Sequence, residues 1–592
     1  MAATNEAQAT LEAGAPPHNT KAWQAIDWQR VHECVKRLQA RIVKATQANR
    51  HCRRKSLQWL LTHSFSAKAE AVKRVTENHG KRTAGVDGVK WNTPEKKMRA
   101  VRRTGRRRDY QPLPLRRIYI PKSSDPTKLR PLSIPCMADR AEQALHLLAL
   151  DPVAEVMQDG NSYGFRKGRS TADALEQVFI ALGKVGSPEF VLEGDIQACF
   201  DTISIEWMEK HIPTDRKTLS KWLRAGYVDK GAFYESGAGT PQGGIISPVV
   251  ANLALDGMER MLRQKYRPNS MAQRRAKINL IRYADDFVVT GATEEVLVNE
   301  VKPMIERFLA ERGLALSQEK TLITHIEAGF DFLGCNVRRQ NGKLFITPAK
   351  KKVQAFKDKL KAVLDDNATA TAGEIIVQLN RLTRGWANYY RPWVSSAAFG
   401  TVDSDLFAAL WRWAQKRHPT RNKDWLQRNY FPHVNKRRWV FTGQVAAGDG
   451  KWRTIHLIKL SSVPIQRHVK IKAEANPYDP AWEHYFEVRL YARMRGSLTD
   501  RIDLQMLWSR QSGLCPECHQ QLLLEQAWER HHVCWRMFGG SDKLDNLRLL
   551  HATCHRKLHA TQPKPALQNR DSIRVLPDRA SGLCEGLSRV RC

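Results

Sequence analysis

The sequence predicts a multidomain α+β protein, and three observations support that fold class. Its 592 residues are enough for several domains of about 100 to 200 residues each. Short β-prone runs surround the adjacent carboxylates Asp285 and Asp286, whereas residues 347–430 have the apolar spacing of helices. Near the end of the chain, cysteine and histidine residues occur in two pairs with the spacing of a small metal-stabilised unit.

The charge balance predicts a polyanionic partner. Lysine and arginine number 96 against 60 aspartate and glutamate residues, a formal net charge of +36. Such an excess favours nucleic acid, because neutralising phosphates releases their counterions. An anionic membrane is the alternative, but the sequence has no apolar run of about 18 residues and no basic amphipathic anchor. We therefore expect nucleic acid, and no membrane, as the partner.

The N-terminal residues and the distribution of the cysteines indicate the cellular compartment of the protein. The first 20 residues contain no hydrophobic signal-peptide core and no arginine, so neither secretion nor organelle import is indicated. The 11 cysteines are scattered except after residue 514, which is not the pattern of a disulfide scaffold. We expect a cytoplasmic protein, in a bacterial cytosol or nucleoid or else in an organelle, that begins with a disordered segment at 1–22.

Residues 23–95 are predicted to form a helical N-terminal extension. Apolar residues recur there at helical spacing as far as residue 77, and glycines interrupt the pattern between 80 and 88. Two interpretations stay open: a helical cap that packs on the next domain, and a basic arm that contacts RNA. The arginine-rich block at 96–117 is too repulsive to fold alone, and it is either a solvated loop or a contact to a polyanion.

Three carboxylates form the predicted catalytic centre. Asp285 and Asp286 stand between two β-prone runs and therefore lie at a hairpin turn, while Asp195 ends a strand-like run at 190–195. Carboxylates from a strand end and a hairpin turn can converge on two Mg²⁺ ions, with Asp195 and Asp285 as ligands. Such a pair lowers the pKa of a 3'-hydroxyl nucleophile and neutralises a pyrophosphate leaving group.

Seven sequence blocks resemble the reverse transcriptases encoded by bacterial and organellar group II introns. In the family's order they are LRPLSIP at 129–135, SYGFRKGRS at 162–170, the Asp195 run at 190–201, GTPQGGIISP at 239–248, the Asp285 run at 278–290, GLALSQEKT at 313–321 and FLG at 332–334. The resemblance implies a right-hand polymerase whose fingers and palm, with an antiparallel palm sheet, occupy residues 96–346. A helical thumb, or maturase segment, would follow at 347–434, and a small DNA-binding segment at 435–502.

The resemblance also implies a site for deoxynucleoside triphosphates. Lys122 and Arg130 of the fingers hairpin would clamp the triphosphate. Phe200 stands where polymerases of this type keep a ring that excludes ribonucleotides by a clash at C2'. Gln242, in a Gly-rich turn, can hydrogen-bond in a groove, and Lys320 adds a positive charge beside the active site. The alternative for Phe200 is an ordinary core position.

Five arginines are the predicted contacts to nucleic acid, that is, to the intron RNA and the template-primer duplex. They are Arg166, Arg169, Arg381, Arg384 and Arg391. The numerous aromatic residues between 386 and 425 are more often core residues than stacking platforms.

The C-terminal unit at 503–561 carries a predicted structural zinc site. Its ligands are Cys515, Cys518, His551 and Cys554, in two pairs that are typical of tetrahedral Zn²⁺ sites. A structural metal would explain how so few residues fold with a small core. The unit is followed by a predicted flexible tail at 562–592.

Further histidines make this unit resemble an HNH, or ββα-metal, nuclease. The resemblance implies that His532 is the general base, that His531 and His555 bind a divalent metal ion, and that Asn546 orients the base. His559, on the same helical face as His555, would be a further ligand. A zinc module used only for binding is the alternative.

The predicted function combines these parts in one intron-encoded protein. It would copy RNA into DNA, bind its intron RNA to assist splicing, and nick target DNA to expose the 3'-hydroxyl that it extends. Three alternatives remain. A splicing factor on a decayed polymerase would have damaged carboxylates, and an RNA-dependent RNA polymerase would favour a small polar residue at position 200. A standalone nuclease would leave residues 110–335 unexplained.

Overall fold

The computed structural model describes residues 21–105, 110–122, 125–446, 452–497, 502–524, 526–534 and 540–561. The predicted tail at 562–592 lies outside these ranges, and so does the predicted disordered segment, except for its last two residues. Residues 21 and 22 belong to the helix Lys21–Gln24.

Fifteen strands lie in the described residues and are numbered in chain order. They are β1 (Leu115–Lys122), β2 (Asp125–Ile134), β3 (Phe190–Asp195), β4 (Tyr227–Asp229), β5 (Ala232–Tyr234), β6 (Asn279–Tyr283), β7 (Asp286–Gly291), β8 (Leu322–His325), β9 (Phe330–Phe332), β10 (Cys335–Gln340), β11 (Lys343–Pro348), β12 (Thr442–Ala446), β13 (Trp452–His456), β14 (Trp528–His532) and β15 (Leu547–His551).

The helices divide into an N-terminal group, a palm group and a C-terminal group. The first group is Trp28–Gln47, His51–His63, Phe65–Glu77 and Pro94–Arg103. The palm group is Met137–Met157, Thr171–Leu182, Cys199–Thr202, Ile205–His211, Arg216–Leu223, Ser247–Leu255, Met258–Lys265, Met271–Ala276, Glu294–Val296 and Lys302–Ala310. The third group is Lys350–Asp366, Ala372–Tyr390, Ser396–Arg417, Lys423–Tyr430, Glu483–Ser497, Ile502–Arg510 and Ala552–Thr561.

The N-terminal helices form a cap on the palm. Asp27 caps the helix Trp28–Gln47 by accepting from Arg30 N at 3.0 Å. The apolar face of this helix, including Val35 and Ile42, is buried in one core with the long helix Met137–Met157. This packing matches the predicted helical periodicity, and it fits the cap interpretation without excluding the basic arm.

Part of the arginine-rich block, which was not expected to fold alone, forms a helix that packs against other helices. Thr93 caps the N-terminus of the helix Pro94–Arg103, because its side chain accepts from Lys96 N. Pro94 occupies the first turn of this helix. Arg102 and Arg103 stand in its last turn, where positive charge is favourable because of the helix dipole. Met98 and Val101 are buried against the neighbouring helices. Residues 106–109 of the block lie outside the described ranges.

A four-stranded sheet forms the fingers, with the strand order β2-β1-β4-β5. The predicted hairpin pairs Ile118 with Leu132 in an antiparallel register. The additional strands β4 and β5 were not predicted, because each has only three residues.

The palm sheet has the order β6-β7-β3-β8, and all its neighbouring strands are antiparallel. Two helical stretches of the palm are irregular. The first is interrupted at Gly257, which has a φ of 99° between Ser247–Leu255 and Met258–Lys265. The second contains a π-helical turn at Leu297–Val301 before it continues to Ala310.

The thumb is a helical layer that follows the three-stranded sheet β11-β10-β9. Its aromatic rings mostly belong to a core, since Trp393, Phe399 and Phe431 are almost fully buried. Phe441 is a buried core residue just before β12, which starts at Thr442.

After the thumb, the chain returns across the palm, and we call residues 460–497 the strap. The strap is fixed to Asp173, a buried residue near the start of the helix Thr171–Leu182. Asp173 accepts from Ile471 N at 2.7 Å and lies 2.8 Å from His468 Nε2. The C-terminal unit has its own small core, and Trp28 of the N-terminal cap packs against it. No helix in the described part of the chain is long and apolar enough to span a bilayer.

Candidate active sites of the palm and the C-terminal unit

The strand β3 positions Asp195 at the centre of the palm sheet. Asp195 lies directly opposite Asp286 in the register of β3 and β7. The preceding residue must be glycine, because a Cβ at Gly194 would come within 2.1 Å of the Phe287 ring. This ring is buried in the core of the palm. The structure thus brings Asp195 and Asp286 together, although 90 residues separate them.

A two-residue turn between β6 and β7 presents the other carboxylate. Ala284 adopts a left-handed conformation with a φ of 60°, and Asp285 follows it at the tip. Desolvation raises the pKa of Asp285, and the nearby charge of Asp195 raises it further, against the charge of Arg130. Asp286 keeps an exposed surface, yet desolvation and its neighbouring carboxylates raise its pKa to about 6. The turn therefore concentrates negative charge that a cation can neutralise.

Lys320 supplies the nearest positive charge. Its Nζ lies 2.8 Å from Asp195 Oδ2, and the hydrogen bond to this carboxylate raises the pKa of Lys320. Clustered carboxylate oxygens are the ligands that Mg²⁺ prefers, so the donor set of Asp195, Asp285 and Asp286 fits a magnesium site. The oxygens of these three carboxylates are farther apart than the ligand atoms of the C-terminal unit. In each of the two ligand groups of that unit, all ligand atoms lie within 4.8 Å of one another.

The residues predicted to contact the nucleotide differ in how close they lie to the three carboxylates. Arg130 is exposed on β2 and close enough to influence Asp285. Phe200 is half-buried, and its ring meets Phe165 edge-on, with 6.3 Å between the ring centroids. A cavity of about 420 Å³ opens beside Phe200, between β1 and the turn at 235–241. The side chain of Lys122 lies outside the described residues.

Gln242 is attached to the fingers through its backbone. Its carbonyl accepts from Ser133 N of β2 at 2.7 Å, so a backbone hydrogen bond joins the Gly-rich turn to the fingers hairpin. Phe165 is a residue that the sequence reasoning missed. Its φ of 59° and its exposed ring are unusual for phenylalanine, and neither can be read from the sequence.

The prediction that Arg166 and Arg169 contact nucleic acid is wrong for this structure. Arg166 is buried and donates to both carboxylate oxygens of Glu155, at 3.1 and 2.7 Å. Arg169 donates to the same carboxylate at 2.6 Å and to the Ala473 carbonyl of the strap at 3.1 Å. Their guanidinium groups are thus occupied inside the protein, which a sequence pattern of basic residues cannot reveal.

The thumb arginines are arranged differently. Arg381 is exposed on the helix Ala372–Tyr390, and Arg384 follows it one turn later on the same face. Arg391 stands just beyond the helix end and donates to Asn388 Oδ1 at 3.2 Å. This face of the thumb can therefore present positive charge to a phosphate backbone.

The four predicted zinc ligands converge in the C-terminal unit. Cys515, Cys518, His551 and Cys554 are all buried, and their ligand atoms lie within 4.8 Å of one another. Hydrogen bonds from Cys518 and Cys554 hold the pKa of Cys515 below that of a free thiol. His551 Nε2 lies 3.0 Å from Gln526 Oε1, and this contact leaves Nδ1 for the metal. The donor set and its burial fit a structural Zn²⁺ ion.

A second cluster lies on the ββα element formed by β14, β15 and the helix Ala552–Thr561. It consists of His531, His555 and His559, whose ligand atoms also lie within 4.8 Å. Burial, followed by the charges of the other two histidines, lowers the pKa of His531 to about 4. A neutral imidazole with a buried, unpartnered Nδ1 atom is well suited to bind a divalent cation.

The predicted base His532 has a carboxylate as a side-chain partner. His532 Nε2 lies 2.7 Å from Asp542 Oδ1. Asn546 instead accepts from Cys534 N at 2.7 Å and donates to Ser541 O at 2.8 Å, so it closes the loop after β14. Asn546 thus fixes the loop that follows His532, and Asp542 contacts the His532 ring.

A further carboxylate was missed in this unit. Glu529 Oε2 lies 2.6 Å from His555 Nδ1, which fixes the orientation of a predicted metal ligand. The signal was present, since Glu529 and His531 are two residues apart on one strand and must share a face.

Comparison with known families finds four matches along the chain. Residues 23–104 match the N-terminal domain of reverse transcriptase, and residues 120–337 match the reverse transcriptase (RNA-dependent DNA polymerase) family. Residues 353–431 match the maturase-specific domain of group II introns, and residues 515–561 match the HNH endonuclease family.

Individual relatives cover comparable parts of the chain. Protein YkfC of Escherichia coli is 33% identical over 313 residues, which are 46% of this chain and 81% of the relative. The group II intron-encoded protein LtrA of Lactococcus lactis is 26% identical over 409 residues, covering 54% and 68% of the two chains. A solved Candida albicans telomerase aligns at 12% identity with a TM-score of 0.31, over 54% of this chain and 65% of that one, and at that score the likeness supports no conclusion.

Proposed function

The chain belongs to the reverse transcriptases encoded by group II introns, with an HNH endonuclease domain at its end, and on that premise we propose that Asp195, Asp285 and Asp286 carry its DNA synthesis. The protein is an RNA-directed DNA polymerase that also assists splicing and cuts DNA. One observation carries the assignment of the catalytic residues: Asp195 faces Asp286 across β3 and β7, beside the turn that holds Asp285.

The polymerase site is proposed to bind two magnesium ions. Reverse transcriptases and HNH nucleases use divalent metals, and here Asp195 and Asp285 would be the protein ligands. Bound Mg²⁺ would lower the pKa of the primer 3'-hydroxyl and neutralise the leaving pyrophosphate. Arg130, on the fingers beside the turn, would bind the triphosphate of a deoxynucleoside triphosphate, together with Lys122.

Phe200 supports DNA rather than RNA as the product. Its half-buried ring lies five residues beyond Asp195 and next to the cavity below the fingers. A bulky ring at that place would collide with a ribose 2'-hydroxyl, which a small polar residue would not do. The intact carboxylates likewise argue against a splicing factor on a decayed polymerase scaffold.

The C-terminal unit is proposed to nick the target DNA. His531, His555 and His559 would hold one divalent metal ion, and His532 would accept the proton of the attacking water while Asp542 orients its ring. Zn²⁺ bound by Cys515 and its three partners would stabilise the fold without taking part in cleavage. A nick made by this unit would supply the 3'-hydroxyl that the palm extends.

Splicing assistance requires that the protein bind its own intron RNA. The thumb carries the maturase-specific sequence, and Arg381 and Arg384 share one face of a helix there. We propose that this face and the basic N-terminal cap contact the intron RNA in a ribonucleoprotein. The net charge of +36 supports an association dominated by phosphate contacts.

The polymerase assignment is tested by primer extension on an RNA template. Asp286→Asn keeps the size of the side chain but removes its charge, so extension should fall by at least about 1,000-fold. DNA nicking by the same preparation should stay near the wild-type level, which shows that the variant is folded. Extension by Asp286→Asn at the wild-type rate would overturn the assignment.

The nuclease assignment needs the converse measurement. His532→Ala should abolish nicking of supercoiled DNA and leave primer extension unchanged. Cys515→Ser should reduce the bound zinc measured by elemental analysis and should also abolish nicking, because the small unit loses its stabilising metal. Cys52→Ser is the matched control, since Cys52 is exposed and far from the cluster in sequence. Nicking by His532→Ala would refute the proposed base.

A further inference from the structure

The largest side chain that the palm buries completely is a charged one, Arg282. It lies on β6, two residues before the left-handed Ala284 and three before Asp285. A buried guanidinium requires a partner for its charge and acceptors for its N–H groups. Residues around the catalytic turn supply a partner for the charge and acceptors for both terminal nitrogens, whereas Nε is buried without an acceptor.

The guanidinium of Arg282 joins the turn to the helix behind it. One of its nitrogen atoms, Nη1, donates to the Ala284 carbonyl at 3.2 Å and to Asn252 Oδ1 at 3.1 Å. The other terminal nitrogen, Nη2, forms an ion pair with Asp256, at the end of the helix Ser247–Leu255. Burial raises the pKa of Asp256 to about 7, and the charge of Arg282 opposes that rise.

A second set of contacts holds the turn from the opposite side. Arg282 N donates to Asn161 O, and Tyr163 N donates to Arg282 O, each at 2.9 Å. The amide of Asn252 donates to Gly164 O at 2.8 Å. A Cβ at Gly164 would come within 2.3 Å of Ala284 N, so this strip of chain lies directly against the turn.

Ala284 needs such support because of its backbone. A left-handed alanine is strained relative to an ordinary conformation, and only surrounding contacts can maintain it. The conformation of Ala284 decides where the chain places Asp285 and Asp286. A donor fixed to the Ala284 carbonyl therefore controls the relative position of the carboxylates.

We propose that Arg282 is a positioning residue of the polymerase reaction: its guanidinium, anchored on Asp256 and Asn252, fixes the Ala284 carbonyl and so sets the geometry in which Asp285 and Asp286 bind metal. This inference rests on the proposed polymerase function. It goes beyond that function by assigning a role to a buried side chain that touches neither nucleotide nor metal.

The test compares Arg282→Lys with the wild-type chain in primer extension at increasing Mg²⁺ concentrations. Lysine keeps the positive charge for Asp256, but it cannot reach Asp256, Asn252 and the Ala284 carbonyl at once. We expect kcat to fall and the Mg²⁺ concentration for half-maximal rate to rise. The ratio of kcat to that Mg²⁺ concentration should fall by about 10- to 100-fold. The KM for the nucleotide should change by less than about 3-fold, because Arg282 makes no contact that binds the nucleotide before the reaction.

Arg140→Lys is the matched control for a purely structural effect. Arg140 is also buried, and it donates to the carbonyls of residues 80, 83 and 135 instead of the turn. The control should lower the unfolding temperature and leave the Mg²⁺ dependence of extension unchanged. Nicking activity, measured on every variant, reports on the folding of the C-terminal unit, and the unfolding temperature reports on the palm.

A second variant keeps the test decisive if Arg282→Lys is insoluble. Asp256→Asn retains the arginine but weakens its anchor, and we expect a smaller loss of kcat with the same rise in Mg²⁺ requirement. Unchanged Mg²⁺ dependence in both soluble variants, or an equal change in Arg140→Lys, would overturn the proposal. Failure of the polymerase function itself would appear separately, as absent extension by the wild-type protein.

Discussion

The Nζ atom of Lys320 lies 2.8 Å from Oδ2 of Asp195, across the edge of the palm sheet where three carboxylates gather. The cation comes from the segment before β8, and the carboxylate ends β3, so the pairing of these two strands brings them together. Because Asp285 and Asp286 lie on the other side of Asp195, Lys320 is a positive charge beside the reacting groups that does not depend on a metal.

Lys320→Met should slow primer extension by about 100-fold, because the site loses a positive charge close to developing negative charge. Lys320→Arg should lose less, since the cation is kept. Single-turnover extension measures the effect. Lys302→Met is the control, because the Nζ of Lys302 forms only a surface pair with Glu306 at 3.9 Å. A wild-type rate in Lys320→Met would exclude an electrostatic role for this residue.

The raised pKa of Asp286 predicts a pH-dependent response to magnesium. Its pKa is about 6 in the folded protein and about 3.9 in an unfolded chain. The folded state therefore holds this proton more tightly, and the associated stability is complete below about pH 4 and lost as the pH rises through about 6. Above that pH the carboxylates repel one another, and Mg²⁺ offsets the repulsion.

We expect saturating Mg²⁺ to raise the unfolding temperature by at least about 2 °C more at neutral pH than near pH 5. Thermal unfolding followed by differential scanning calorimetry measures the difference. Asp286→Asn should show a smaller dependence on pH, while the response of the C-terminal metal site is the same in both proteins. An equal response to Mg²⁺ at both pH values would contradict the assigned coupling among the carboxylates.

The sequence was sufficient for the fold class and the function, because both depend on short motifs whose chemistry is local. The Asp285 turn, each of the two pairs of zinc ligands, and the pair His555 and His559 all consist of residues close in sequence, where spacing determines which side chains lie together. The family comparisons confirm the polymerase, maturase and nuclease assignments. The roles of individual site residues stay predictions that the experiments above address.

Long-range partners were beyond the reach of the sequence. Arg166 and Arg169 have the composition of a phosphate-binding loop, but Glu155 and the strap enclose them. For Arg282 the sequence suggested no role at all. A charged residue within a β-prone run does not indicate that its side chain will be buried against Asp256. In these pairs the carboxylate lies 11, 14 and 26 residues before the arginine, beyond any helix or strand spacing, and only packing brings it close.

Asn546 is expected to act on DNA cleavage through the loop that it closes. Asn546→Ala leaves Cys534 N without its acceptor and removes the donor to Ser541 O, which should destabilise the C-terminal unit by about 1 to 3 kcal/mol. Nicking should fall with it, and extension should not change. Asn546→Asp keeps the acceptor for Cys534 N and should retain more activity than alanine. Limited proteolysis of the unit distinguishes loss of fold from loss of chemistry.

The salt dependence of RNA binding separates exposed arginines from buried ones. Arg381 is exposed on the thumb, so Arg381→Gln should reduce the slope of log affinity against log salt by about 1 and leave the unfolding temperature unchanged. Arg166→Gln should behave in the opposite way, because it breaks a buried pair with Glu155 and costs about 3 to 5 kcal/mol of stability. Filter binding of intron RNA at several salt concentrations gives the slopes, and calorimetry gives the stabilities. A slope unaffected by Arg381→Gln would remove this residue from the phosphate contacts, and a stable Arg166→Gln with a reduced slope would restore the original prediction for Arg166.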